Sequence, residues 1–151
     1  SLSVRLARDW RFEGRATYSF TPSVNCGEKM SEADRSVGRQ LPYVPRHSAS
    51  AVAKLSFRSW SLLYKWNYYS TRYTMSSNDY TLTGTLPPYF MNNISLEKSF
   101  AFRWADMSLK GTINNLFDEE YLSVLSRPMP GINFEIFVGI TPKWEGFRRR
   151  K

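Results

Sequence analysis

Alternation of apolar and polar residues, with a period of two, recurs along almost the whole chain. Residues 10–20 show it most clearly, with Trp10, Phe12 and Tyr18 at even positions and Arg11, Glu13 and Arg15 at odd positions. A period of two predicts β-strands that are apolar on one face only. Further alternating stretches cover residues 49–57, 60–68, 90–100, 109–117 and 132–140, and residues 1–7 continue the pattern as part of a seventh strand.

The links between these stretches also alternate, between short and long. Short links fall at residues 8–9, 58–59 and 103–106, and long polar links fall at residues 25–40, 76–85 and 122–131. Short turns at one end and long loops at the other predict an all-β, antiparallel up-and-down meander of about six to seven strands. Outer-membrane barrels have the same layout.

The alternation alone fits a soluble sandwich as well as a barrel wall, but three details favour lipid. The stretches are near the length with which a tilted strand crosses a bilayer. Aromatic residues lie near the ends of the apolar stretches, where interfacial girdles occur: Trp10, Phe20, Trp60, Tyr68, Phe90, Phe100 and Trp144. The opposite face carries groups suited to a wet or plugged lumen: Arg11, Glu13, Arg15, Lys54, Lys65, Asn67, Glu97, Lys110, Asn114 and Glu135. We therefore expect part of a large transmembrane β-barrel.

The charge and the few cysteine and histidine residues give no support to an enzyme. The net charge is +8, and the tail 148–151 supplies half of it. The single cysteine, Cys26, and the lone His47 stand apart from any acidic cluster, so we expect no catalytic, cofactor or metal site. No stretch reaches the length of a membrane helix. Residues 1–5 already have the pattern of a strand rather than of a signal peptide, so we expect a fragment of a longer protein.

The stretch from Asn114 onward resembles the C-terminus of the TonB-dependent outer-membrane receptors. The family motif N-L-F-D/N-x-x-Y is matched by Asn115, Leu116, Phe117 and Tyr121, and its P-x-P-G-R loop by Pro128, Pro130 and Gly131, with Ile132 in place of the arginine. Trp144 stands where the family's closing aromatic residue is expected. The stretch LPYVPRHSASAVAKL, residues 41–55, is similar to the family's approach to a late strand.

The resemblance implies a barrel of about 22 strands with a plugged lumen. Residues 1–144 would form its C-terminal part and residues 145–151 a basic tail. The implied function is active uptake of a scarce solute, of the siderophore, cobalamin or glycan class, in the outer membrane of a Gram-negative bacterium. The implied partners are outer-membrane lipid, the rest of the barrel and its plug, TonB acting through that plug, the barrel-assembly machinery at the last strand, and the solute.

Two other functions remain open at this point. A free-standing short outer-membrane protein would build an oligomeric barrel from several chains. A soluble basic domain would bind nucleic acid, with aromatic and basic residues on one face; here they lie mostly on opposite faces, so we expect no nucleic-acid partner. The motif residues are expected to be structural, with Gly131 in a turn conformation that other residues resist. Tyr73 and Tyr80, in an outward loop, are weak candidates for ligand contact.

Overall fold

The computed structural model describes residues 2–143, which form strands and the loops that join them. Trp144 and the tail 145–151 lie outside the described residues. Eleven strands occur in chain order: β1 Leu2–Ala7, β2 Trp10–Phe20, β3 His47–Phe57, β4 Trp60–Tyr69, β5 Arg72–Tyr73, β6 Thr85–Leu86, β7 Tyr89–Ala101, β8 Ala105–Asn114, β9 Leu122–Val124, β10 Arg127–Pro128 and β11 Asn133–Pro142.

Seven of these strands form one antiparallel sheet in the order β1-β2-β3-β4-β7-β8-β11. Each strand of this sheet therefore pairs with the sheet strands that come before and after it along the chain, and the predicted meander is confirmed. The links between β1 and β2, β3 and β4, and β7 and β8 are short, whereas the first, second and third long loops span residues 21–46, 70–88 and 115–132. One boundary differs from expectation: β8 ends at Asn114, so Leu116 and Phe117 lie in a turn rather than in the strand.

The registers place the two sets of alternating residues on opposite sides of the sheet. Phe12 in β2 pairs with Leu55 in β3, which pairs with Leu62 in β4, which pairs with Leu96 in β7. We call this side the apolar face; the side of Arg11, Glu13 and Lys54 is the polar face. His47, Asn92 and Lys98 are polar residues at positions of the apolar face.

Aromatic side chains form a row at each end of the apolar face. At the short-link end, Trp10 stacks on Phe57 with ring centroids 4.4 Å apart. At the long-loop end, Tyr68 lies 5.1 Å from Phe90, again between ring centroids. Lys98 places its ammonium 4.3 Å from the centroid of the Trp60 ring, a cation–π contact at the short-link end. The two rows match the positions of the predicted girdles.

The apolar face has no protein cover within residues 2–143. Ile136 in β11 is 80% exposed and Phe134 is 71% exposed, whereas among the residues whose burial the structure describes only Leu86, Tyr89 and Ala105 are buried hydrophobic residues. An uncovered apolar surface of this extent marks contact with lipid or with other protein. No helix within the described part of the chain is long and apolar enough to cross a membrane.

The four remaining strands form two small hairpins within the long loops. β5 pairs with β6 in the second long loop, and β9 pairs with β10 in the third. Both outer strands of the main sheet, β1 and β11, have only one partner among the described residues. Backbone groups along those two edges therefore lack strand partners in this part of the chain.

Candidate functional site

The polar face is a wall of charged and hydroxyl side chains. Arg11 forms an ion pair with Glu13, with 2.8 Å between the guanidinium and the carboxylate oxygen. Across the strands, Glu13 lies opposite Lys54 in the register. Asn114 donates to the Glu135 carboxylate at 2.9 Å, which links β8 to β11. Some predicted polar-face residues thus pair with one another, and the rest offer charges and hydrogen bonds to a molecule on this side.

A tyrosine cluster lies at the long-loop end of the polar face. The rings of Tyr69 and Tyr89 are 5.1 Å apart between centroids, and those of Tyr89 and Tyr121 are stacked at 4.7 Å. The Arg72 guanidinium lies 4.8 Å from the centroid of the Tyr89 ring and donates to the Leu122 carbonyl oxygen at 2.9 Å. This contact ties the second long loop to the third.

Burial shifts the pKa of two side chains in this cluster. Arg72 is only 5% exposed, and burial lowers the pKa of its guanidinium. Burial also raises the pKa of the Tyr121 phenol, and the neighbouring Tyr89 adds to the rise. The sequence did not single out Arg72, because only the folded loops bring it against Tyr89, a residue 17 positions further along the chain. Tyr89 is buried at the centre of the cluster, and Tyr69 and Tyr121 are half-buried beside it.

Asn115, the first residue of the predicted motif, folds the start of the third long loop. Its backbone is left-handed, with φ of 52°, and it is 1% exposed. Its side chain donates to the Glu119 carbonyl oxygen at 2.9 Å and accepts from the Glu119 N–H at 2.9 Å. Its own N–H donates to the Asn93 side chain at 3.0 Å. Asparagine tolerates left-handed backbone better than most residues, so the motif residue closes this turn.

The end of the same loop is held by Asp118. Its carboxylate accepts the Ile132 N–H at 2.8 Å. A Cβ on Gly131 would lie 2.5 Å from that carboxylate oxygen, so any larger residue would have to displace the Asp118 side chain. The expectation that Gly131 adopts a conformation closed to other residues is wrong, since its φ lies outside the left-handed region. The clearance from Asp118 is the physical reason for a glycine here.

The motif residues do not all meet. Tyr121, Pro128 and Gly131 line a shared cavity of about 550 Å³ in the third long loop. Leu116 donates its N–H to the Asn92 carbonyl oxygen at 2.8 Å, back on β7. Phe117 is 68% exposed, and Pro130 is exposed in the approach to β11. Trp144 cannot be placed, because it lies outside the described residues.

Tyr73 and Tyr80 lie together, away from the polar face. Their rings meet edge to face, with centroids 6.2 Å apart. Both line a cavity between the first and second long loops, on the side of His47 and Tyr68. Contact with a ligand stays a prediction for these two tyrosines.

Within residues 2–143, His, Cys, Asp and Glu side chains form no group of three or more that could hold a metal ion. Cys26 is an exposed free thiol in the first long loop. The arrangement offers a polar wall, a tyrosine cluster and structured loops.

Comparison with known proteins identifies a family. The family model described as TonB dependent receptor-like, beta-barrel matches residues 1–116. The match covers β1 through β8 and ends just inside the Asn115 motif, so most of the third long loop and β11 lie beyond it. No curated protein matches the chain.

Proposed function

Because the chain belongs to the TonB-dependent receptor-like β-barrel family, we propose that it forms part of the wall of an outer-membrane receptor that takes up a scarce solute. The family is a transporter family of the outer membrane. The solute would be of the siderophore, cobalamin or glycan class, and the membrane that of a Gram-negative bacterium.

The observation that carries this proposal is the uncovered apolar face with an aromatic row at each end. Between the rows, apolar side chains such as those of Leu62, Leu96 and Ile136 lie exposed, with no cover from other described residues. Lipid stabilises such a face where water would not, and Trp and Tyr prefer the two membrane interfaces. The charged residues then line the lumen on the opposite side. A nucleic-acid-binding surface would instead need the aromatic and basic residues together.

The two open edges of the sheet support a larger assembly. In lipid, every backbone N–H and C=O must find a partner, so a spanning sheet has to close. β1 and β11 do not pair with each other in the described part of the chain. Further strands must therefore complete the barrel. We assign these strands to the rest of a receptor chain, which would also supply the plug and, through it, the contact with TonB.

Orientation follows from the loop lengths. Barrels of this membrane have short periplasmic turns and long extracellular loops. The three long loops would then face outward, and the tyrosine cluster of Tyr69, Tyr89 and Tyr121 would stand at the outer mouth of the lumen. Aromatic rings and polar-face charges at that mouth suit a polar or aromatic solute. Assembly would use the last strand as the contact for the barrel-assembly machinery.

Fractionation of the source cells tests the location and the size together. An antibody against residues 76–85 is suitable, since Tyr80 and Leu82 in this segment are 77% and 99% exposed. We expect a band much larger than 17.6 kDa in the outer-membrane fraction. A band near 17.6 kDa in that fraction would support an oligomeric small barrel instead, and the same band in the soluble fraction would overturn the membrane assignment.

Uptake by a deletion strain tests the solute class. The strain is grown with iron-loaded siderophores, cobalamin or glycans as the limiting nutrient, and uptake of the labelled solute is compared with that of the parent. Loss of uptake of one class, restored by the intact gene, identifies the solute. Normal uptake of all three classes would contradict the proposed substrates.

A further inference from the structure

A cavity of about 430 Å³ lies between the first and second long loops. This volume is within the usual range for sites that hold small molecules. Its walls combine two arginines, three tyrosines and small polar groups. The lining residues are Val24, Gly38, Arg39, Gln40, Val44, Arg46, His47, Tyr68, Ser70, Thr71, Tyr73, Asn78 and Tyr80.

Hydrogen bonds between the two loops fix the shape of the cavity. The Gln40 N–H donates to the Asn78 side-chain oxygen at 2.6 Å, and the Asn78 amide donates back to the Gln40 carbonyl oxygen at 2.8 Å. The Tyr43 N–H also donates to the Tyr73 carbonyl oxygen at 2.7 Å. The cavity is therefore preformed, which lowers the entropy cost of binding.

The floor of the cavity belongs to the apolar face. His47 accepts or donates a hydrogen bond with the Tyr18 hydroxyl at 2.7 Å, and its ring lies 5.1 Å from the Phe20 ring between centroids. Tyr68 contacts Phe90 in the aromatic row at the long-loop end. The cavity thus lies just beyond that row and outside the barrel wall, away from the lumen.

Charge in the cavity is positive. Arg39 and Arg46 are exposed, and neither guanidinium forms an ion pair or a hydrogen bond with another described residue. No Asp or Glu is among the described residues that line the cavity. Arginine binds phosphate through paired, charge-assisted hydrogen bonds. The Thr71 hydroxyl, which forms no hydrogen bond with another described residue, adds a partner for the hydroxyl groups of a sugar.

From these features we propose that the cavity binds the phosphorylated sugar headgroup of a lipid in the outer leaflet. The headgroup enters at the level of the aromatic row at the long-loop end, its phosphate meets Arg39 and Arg46, and its acyl chains lie along the apolar face. A solute on the transport path would pass on the other side of the wall. The inference rests on the proposed outer-membrane location, which fractionation tests separately.

The test compares two variants of the full-length protein purified from outer membranes. The first variant is Arg39→Gln with Arg46→Gln; the control is Arg35→Gln, which removes an exposed arginine of the same loop that does not line the cavity. Binding is measured to phosphatidylcholine vesicles or nanodiscs with and without lipid A, and co-purified phospholipid and glycolipid are identified by native mass spectrometry.

We expect the unaltered protein and the Arg35→Gln control to retain lipid A equally. Removal of each cavity arginine should weaken binding by on the order of tenfold, as for other hydrogen bonds to charged groups. Both single variants are measured as well, so a folding defect in the double variant does not remove the test. Equal affinity of the double variant and the unaltered protein would overturn the inference.

Three further outcomes separate the source of the anion from the location of the protein. Glucosamine phosphate or inorganic phosphate that displaces the lipid at similar concentration would assign the cavity to a free anion and reject the lipid. A protein found in the soluble fraction would reject the proposed function itself. A protein in the outer membrane without retained lipid A would reject this inference alone.

Discussion

Replacement of Asn115 separates its hydrogen bonds from its backbone conformation. Asn115→Ala removes both side-chain bonds to Glu119 and places a Cβ-bearing residue without a local polar partner at φ of 52°. Asn115→Gly removes the same bonds but accepts the backbone conformation freely. The two variants therefore differ only in the cost of the left-handed backbone.

The magnitudes follow from the structure. Two buried hydrogen bonds contribute about 1 kcal/mol each. The left-handed backbone costs alanine about 1 kcal/mol more than glycine, after allowance for the greater freedom of glycine in the opened loop. Local opening of the loop should therefore become easier by about 2 kcal/mol in Asn115→Gly and about 3 kcal/mol in Asn115→Ala.

Amide hydrogen exchange of the full-length protein in detergent measures this opening directly. At the Glu119 N–H, we expect exchange to accelerate by about 30-fold for Asn115→Gly and on the order of 100-fold for Asn115→Ala. Asn67→Ala is the matched control, because Asn67 lies in β4 and its side chain forms no hydrogen bond with another described residue. Unchanged exchange in both Asn115 variants would refute the capping role, and equal acceleration would refute the backbone argument.

Three further predictions concern the loops and the wall. Gly131→Ala should push the Asp118 carboxylate from the Ile132 N–H and lower the free energy of unfolding in urea by about 1–3 kcal/mol. Full stability of this variant would contradict the close contact inferred between residue 131 and Asp118. Ala16→Arg places a charge on the apolar face in mid-strand and should cost about 2–4 kcal/mol in vesicles, whereas Ala16→Leu, the control, should cost little; equal stability of the two variants would argue against contact with lipid. Hydrogen bonds from the Ser36 side chain and backbone are the chief cause of the lowered pKa of Asp34. The carboxylate therefore stabilises the first long loop above the ordinary carboxyl pKa, and this stabilisation is lost as the pH falls through the lowered value. Proteolysis of that loop should rise at acid pH, and Asp34→Asn should remove the pH dependence.

The strands were predictable from the sequence because alternation reports the faces of a sheet directly. β2 was predicted at residues 10–20, the bounds that the structure shows, and β4 differs from its predicted range by one residue. The residues that break the pattern, such as Asn92 and Lys98, did not obscure it. Asn92 instead accepts the Tyr64 hydroxyl at 2.6 Å, which satisfies a polar group on the apolar face.

The long loops were not predictable in the same way. Their structure depends on pairs that are distant in sequence, such as Gln40 with Asn78, 38 positions apart. No local pattern marks such a pair. The strands of the hairpins β5–β6 and β9–β10 have only two or three residues, which is too short for alternation to show. Phe117 was assigned to a strand because its apolar character continues that of Ile113, but the left-handed backbone at Asn115 ends the strand first.

The meander of the main sheet also bears on how such walls change in evolution. Every strand in it pairs only with its neighbours in the chain, so no connection crosses another. Duplication or deletion of one hairpin changes the strand pairing only where the hairpin is added or removed, and the remaining registers stay in place. A gene that encodes such a sheet can therefore gain or lose two strands in one recombination event, and the circumference of the barrel changes without rearrangement of the rest of the wall.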